Sequence, residues 1–291
     1  MFLRLVKNNE VPLAALIPNL LTTLALSSGL ASIHFSIRAA VLHAADPTAD
    51  VSRYWERALG AIILSAIFDA LDGRAARLLH VTSKFGAVLD SLSDFVSFGV
   101  APAIILHQLV LTELINDPGA DPRSRLMRAL GLGPVIIFAL CSGMRLARFT
   151  AAASTPKPGP ASPPSNYFVG MPTPAAAGAV LVPALIIVSD TLDYQLRAWA
   201  AALYTLLIAF LMISRIPMFA LKTLKVSRVW VAPLLVLVGV VVVLAISDMW
   251  MTMAGISMVY LLSLPFAVIR RRNAPHEAHP AAIEPAPSGS L

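Results

Sequence analysis

Four aspartates, Asp69, Asp72, Asp90 and Asp94, stand close together in the stretch D-A-L-D-G-R-A-A-R-L-L-H-V-T-S-K-F-G-A-V-L-D-S-L-S-D, with Arg74 and Arg77 among them. On a helix, Asp69, Asp72, Gly73, Ala76 and Arg77 fall at i, i+3, i+4, i+7 and i+8, which is one face. Gly86, Asp90 and Asp94 fall at i, i+4 and i+8 of a second helix, again one face. The connection H-V-T-S-K is short, so the two helices are expected to be antiparallel neighbours with their polar faces meeting. Carboxylates brought together in this way repel unless some are protonated or cations sit among them. An all-oxygen donor set without His or Cys suits hard divalent ions, and Mg²⁺ in particular shares a few carboxylates with substrate phosphates. Pairs of such ions suit phosphoryl chemistry. Gly73 and Ala76 leave room for a ligand, and Arg77 can bind a phosphate oxygen. The plainer alternative is a set of interhelical salt bridges, but two arginines do not neutralise four acids.

The elements that must hold these residues are membrane spans. The chain of 291 residues is 57% hydrophobic and 13% charged, with a mean hydropathy of +0.77, whereas soluble domains carry about 25% charge. A charged residue at the centre of a membrane helix costs about 3 kcal/mol on insertion scales and is usually retained for function. Runs of about 20 apolar residues predict an all-α, polytopic membrane protein of about eight transmembrane helices, near 14–42, 57–81, 86–110, 130–151, 173–190, 196–214, 228–247 and 250–269. The first run is long, carries Pro18 and Asn19, and lacks a clear small-residue cleavage site, so it is not expected to be a removable signal. An N-terminus on the inner side puts 15 of the 22 Lys and Arg residues there, in keeping with the positive-inside rule. Both termini and the Asp-rich stretch are then cytoplasmic. The net charge of +6 comes from residues flanking apolar runs, which argues for membrane orientation and against nucleic-acid binding. Cys141 is the single cysteine, so an internal disulfide is excluded. Residues 154–166 are too rich in proline for a helix. The tail after Arg272 lacks periodicity and is expected to be disordered; His276 and His279 read there as solvated residues rather than a metal pair.

The spacing D-x2-D-G-x2-A-R-x8-G-x3-D-x3-D resembles the signature of the CDP-alcohol phosphatidyltransferases, and Asp69, Asp72, Gly73, Ala76, Arg77, Gly86, Asp90 and Asp94 fill all eight positions. The resemblance implies a six-helix core at 14–215. Around it lie a cytoplasmic segment at 1–13, two further transmembrane helices within 216–272, and the tail at 273–291. It implies a homodimeric enzyme of the cell membrane that binds a CDP-linked lipid and two ions of Mg²⁺ or Mn²⁺. By the family's assignments Asp69, Asp72 and Asp90 hold metal, with Asp94 assisting and acting as general base. Asp72, Gly73, Ala76, Arg77 and Gly86 would bind CDP-diacylglycerol. The residues support the role of Asp94, which is last in the row and has no arginine in its own turn. No Ser, Cys or His is tied to the motif by spacing, so direct in-line attack by the acceptor is expected.

The motif does not specify the acceptor alcohol. S-G-M-R-L-A-R-F at 142–149, Y-F-V-G-M-P-T-P-A-A-A at 167–177 and S-F-G-V-A-P-A after Asp94 are similar to the integral-membrane class of phosphatidylserine synthases. That similarity implies L-serine, whose carboxylate needs a cation. Arg148, and after it Arg145, are the candidates, although either can equally serve the positive-inside bias or lipid headgroups. Glycerol phosphate or an inositol derivative remains open as acceptor, but a phosphorylated alcohol calls for a more basic pocket. A transporter coupled to protons or cations is the alternative from another class; it does not need the fixed Gly and Arg, and no inverted repeat is evident.

Overall fold

The computed structural model describes residues 13–81, 83–112, 122–154, 167–189, 198–214, 217–219 and 231–272. The N-terminal segment through residue 12, most of the proline-rich stretch and the tail with His276 and His279 lie outside the described residues.

Helix α1 (Leu13–Ala45) and helix α2 (Ser52–Leu78) form a long hairpin. Two aspartates shape its turn. The N–H and hydroxyl of Thr48 donate to Asp46 at 2.9 and 2.7 Å, and those of Ser52 donate to Asp50 at 3.0 and 2.6 Å. These bonds favour the charged form and hold both carboxyls below their usual range.

Helix α3 (Lys84–Val110) returns after a tight corner whose chemistry is local. Val81 N–H bonds to Ala76 O at 3.1 Å and His80 N–H to Arg77 O at 3.3 Å, with His80 at φ 53°. This is the left-handed stop that ends many helices. Ser83 then caps α3, its Oγ accepting from Gly86 N–H at 2.9 Å. α3 is α-helical through Asp94, π-helical over Phe95–Val100, α-helical over Ala101–Ile105 and π-helical again over Leu106–Val110. Pro102 has no N–H to give to the preceding turn, which favours the widening there.

Next come α4 (Pro122–Ser154), strand β1 (Tyr167–Val169), α5 (Thr173–Val180), α6 (Val182–Ser189) and α7 (Ala198–Ile213). Strand β2 (Pro217–Phe219), α8 (Val231–Ser247) and α9 (Met249–Arg272) complete the chain. The span expected at 173–190 is divided at Leu181, just before Pro183, a residue that cannot continue the ladder of N–H donors. β1 and β2 pair antiparallel, Phe168 opposite Met218. Apart from these strands and the short connecting turns, the described residues are helical.

The interior is built for close approach. A Cβ on Gly29 would lie 2.3 Å from Ser97 Oγ, and one on Gly99 would lie 2.7 Å from Ser142 Oγ, so α1 meets α3 and α3 meets α4 through small residues. Ser65 and Ser97 both donate to Ala25 O, at 2.8 and 3.3 Å, tying α2 and α3 to α1. Phe98, Phe138, Ile105, Met171 and Ile208 are fully buried between the helices.

Three described helical stretches, Leu16–Ala45, Lys84–Val110 and Gly131–Ala151, are long and apolar enough to cross a membrane; Ala198–Ile213, Val231–Ser247 and Met249–Leu264 are shorter apolar helices. α8 buries none of its residues and turns Leu235, Val236 and Val243 outward. In water such a face would be unstable; against lipid it is expected.

Candidate active site

The α2–α3 corner brings the two rows of the motif together. Carboxylate oxygens of Asp69, Asp72 and Asp90 all lie within 4.8 Å of one another. Hard divalent ions take oxygen ligands at about 2.0–2.6 Å, so one or two ions can bridge a group of this span. Asp94, one turn further along α3, reaches the Asp69 carboxyl within hydrogen-bonding range. Its other oxygen, Oδ1, is buried without a hydrogen-bond partner. A cluster with so many acceptors and so few donors is the donor set a cation requires.

A side-chain donor does come from the protein. Thr22 Oγ1 lies 2.6 Å from Asp72 Oδ2 and 3.0 Å from Pro18 O; the shorter contact takes the proton and fixes the Asp72 carboxylate. Both Thr22 and Asp72 are buried, at 4% and 5% exposure. Thr22→Val keeps the shape and removes a hydrogen bond to a charged group, so the divalent-cation concentration giving half-maximal activity should rise about tenfold. An unchanged cation titration in that variant would remove this role from Thr22.

The carboxylates open into a cavity of about 270 Å³ lined by Pro18, Asn19, Thr22, Gly73, Ala76 and Ser83 among others. Gly73, Ala76 and Gly86 of the motif all line it. A Cβ on Gly86 would sit 2.9 Å from Asn19 Oδ1 and 3.1 Å from Ser83 Oγ, so only glycine keeps that wall back. Arg77 is exposed and folds over its own helix, Nε–H donating to Gly73 O at 2.8 Å. It thus stands beside Gly73 without capping the carboxylates.

The two candidate acceptor arginines part company. Arg148 is exposed, whereas Arg145 is half-buried and donates from Nη1 to Thr173 Oγ1 at 2.5 Å. Its Nε is buried and unpartnered, and the guanidinium lies within electrostatic reach of Asp94. Thr173 is fully buried and starts α5. Its place is set by Gly170, which has φ 79° and on which a Cβ would come within 3.0 Å of Met212 O and Ser214 O. Glycine is required there on both counts. The motif at 167–177 and the arginine motif at 142–149 therefore meet through one hydrogen bond.

Thr22, Ser83 and Thr173 are neighbours of the site that the sequence reading did not single out. A hydroxyl three positions beyond Asn19 and a serine at the head of α3 carry no distinctive spacing of their own. Pro18 followed by Asn19 is the signal nearest to Thr22, and Thr173 lies within the stretch 167–177 already quoted.

Residues 15–213 match the family model described as CDP-alcohol phosphatidyltransferase, and residues 229–265 match that described as CDP-alcohol phosphatidyltransferase 2. Among curated proteins, the CDP-diacylglycerol–serine O-phosphatidyltransferase of Mycobacterium leprae (strain TN) is 31% identical over 264 residues, covering 88% of this chain and 76% of the relative. The protein of that name from Mycobacterium tuberculosis (strain ATCC 25618 / H37Rv) is 29% identical over 258 residues, covering 88% of this chain and 79% of the relative. That from Methanocaldococcus jannaschii is 41% identical over 116 residues, 40% of this chain and 44% of the relative. With the first match spanning the whole Asp-rich motif and most of the helical core, the chain belongs to the CDP-alcohol phosphatidyltransferase family.

Proposed function

We propose that this membrane protein transfers the phosphatidyl group of CDP-diacylglycerol to the hydroxyl of L-serine, giving phosphatidylserine and CMP. The observation that carries the reading is the juxtaposition of a carboxylate triad facing a cavity with a half-buried arginine beside Asp94. The first suits a nucleotide diphosphate; the second suits an acceptor that bears a carboxylate. The names of the mycobacterial and archaeal relatives supply the same donor and acceptor.

In this reading Asp69, Asp72 and Asp90, with Asp94 assisting, hold two ions of Mg²⁺ or Mn²⁺. When bound, these ions offset the charge of the diphosphate and of the departing CMP. Gly73, Ala76 and Gly86 give the nucleotide room along the cavity wall, and Arg77 turns toward a phosphate oxygen once a ligand competes with Gly73 O. Arg145, steadied by Thr173, pairs with the serine carboxylate and so aims the serine hydroxyl at the lipid-linked phosphorus. Asp94 accepts the hydroxyl proton as the new P–O bond forms, and the electron pair of the broken P–O bond leaves with CMP.

Eight spans, a core at 14–215, two added helices within 216–272, cytoplasmic termini and a homodimeric assembly complete the proposal. The outward apolar face of α8 and the basic residues at inner helix ends support the membrane arrangement. The test presents purified protein with CDP-diacylglycerol and competing serine, glycerol 3-phosphate and inositol, and follows CMP. Serine is expected to be preferred. Preference for another alcohol would overturn the acceptor while leaving the transferase; absence of CMP with every alcohol would remove both.

A further inference from the structure

The last helix, α9, lies beyond the expected six-helix core, yet it packs against α5, α6 and β2. Its inward face carries Ala254, Ser257, Tyr260 and Leu264 at helical spacing; Ala254 and Leu264 are buried, and Tyr260 packs on the central core. The register against α5 is fixed at one point: a Cβ on Gly178 would lie 3.3 Å from Ser257 Oγ. A Cβ on Gly60 of α2 would lie 3.9 Å from the Trp250 ring, and α2 packs on α6, so the start of α9 lies on the α6 side. Its packing on β2, which pairs with the strand just before α5, then falls further along, and α9 runs from Ser257 toward the start of α5. Tyr260 is three residues further, about 4.5 Å along the axis. It therefore approaches the end of α5 where Thr173 receives Arg145. Arg145 and Tyr260 are within electrostatic reach of each other, so Arg145 has the Asp94 carboxylate as one neighbour and the neutral Tyr260 hydroxyl as another.

We propose that Tyr260 closes the acceptor pocket from the C-terminal helix and supplies a second donor, beside Arg145, to the carboxylate of the acceptor. The chemistry follows from the inventory of groups. Arg145 has only donors, one of them buried and unpartnered, and a phenol O–H can donate in addition to accepting. Two donors converging on one carboxylate separate serine from an alcohol that lacks that group. On this view α9 is part of the specificity machinery and not merely a further anchor in the lipid. The inference rests on the serine reading above.

The experiment uses the full chain in lipid vesicles, with Tyr260→Phe, which keeps the packed ring, and Ser257→Ala as a neighbour on the same face. In Tyr260→Phe the KM for serine should rise about tenfold, as expected for one hydrogen bond to a charged group, while the KM for CDP-diacylglycerol stays within twofold. Ser257→Ala should move neither. A serine KM within threefold of wild type in Tyr260→Phe, or a parallel rise in both KM values, would overturn the proposal while the serine reading stands. A wild-type protein that releases no CMP in response to serine would overturn the serine reading and this proposal with it.

Discussion

Asp94→Asn should bind CDP-diacylglycerol with an affinity within about threefold of wild type yet form CMP about 10²–10⁴-fold more slowly, the range a positioned general base contributes. The expectation comes from where Asp94 stands. It is not one of the three carboxylates gathered within 4.8 Å; it adjoins them through Asp69 and lies within electrostatic reach of Arg145. It is thus near both the group that would hold the donor and the group that would hold the acceptor, within reach of the proton of an attacking hydroxyl. Asparagine has the same shape and can donate to Asp69, so the corner between α2 and α3 is expected to persist. Lipid binding by vesicle co-sedimentation with labelled CDP-diacylglycerol, measured beside CMP release, separates the roles. Full turnover would remove the base assignment. Loss of binding together with turnover would place Asp94 among the groups that hold the donor.

The polar face of each motif helix was legible because helical spacing alone puts Asp69 with Asp72 and Asp90 with Asp94. The short connection between them also left little choice but an antiparallel corner, which Ser83 and the left-handed His80 then make. What spacing along one chain cannot give is the partner from a distant helix. Asp94 has no arginine in its own turn, but Arg145 comes to it from α4. Likewise the Thr22 hydroxyl reaches Asp72 across 50 positions, a pairing with no local pattern. The order of the two arginines was also hidden: Arg145 and Arg148 are three apart on one helix, and only the packing of α4 against its neighbours decides which turns inward. The π-helical turns after Asp94 shift that register in α3, and no periodicity count based on 3.6 residues per turn anticipates them.

That difference between the arginines yields the sharpest expectation about the acceptor. Arg145→Gln should raise the KM for serine about 30–100-fold, whereas Arg148→Gln should change it by less than about threefold. Removing one member of a buried charge pair costs about 2–5 kcal/mol, and a half-buried guanidinium takes the lower part of that range. An exposed cation is screened by water and ions, and its loss costs little. Arg145 is the half-buried one, already held by Thr173 at 2.5 Å with its Nε left over; Arg148 is exposed. Glutamine retains some hydrogen-bonding capacity but no charge, so the loss reports on the carboxylate rather than on packing. The KM for CDP-diacylglycerol provides the internal comparison and should stay within about twofold in both variants, since neither arginine lines the cavity in front of the triad. A larger effect at Arg148 than at Arg145 would mean that the acceptor approaches along the exposed side of α4. Equal rises in both KM values at Arg145 would mean that this residue holds the fold of the α4–α5 junction and not the acceptor. Only a serine-specific loss at Arg145 fits a serine whose carboxylate would meet that guanidinium while its hydroxyl would be presented to Asp94.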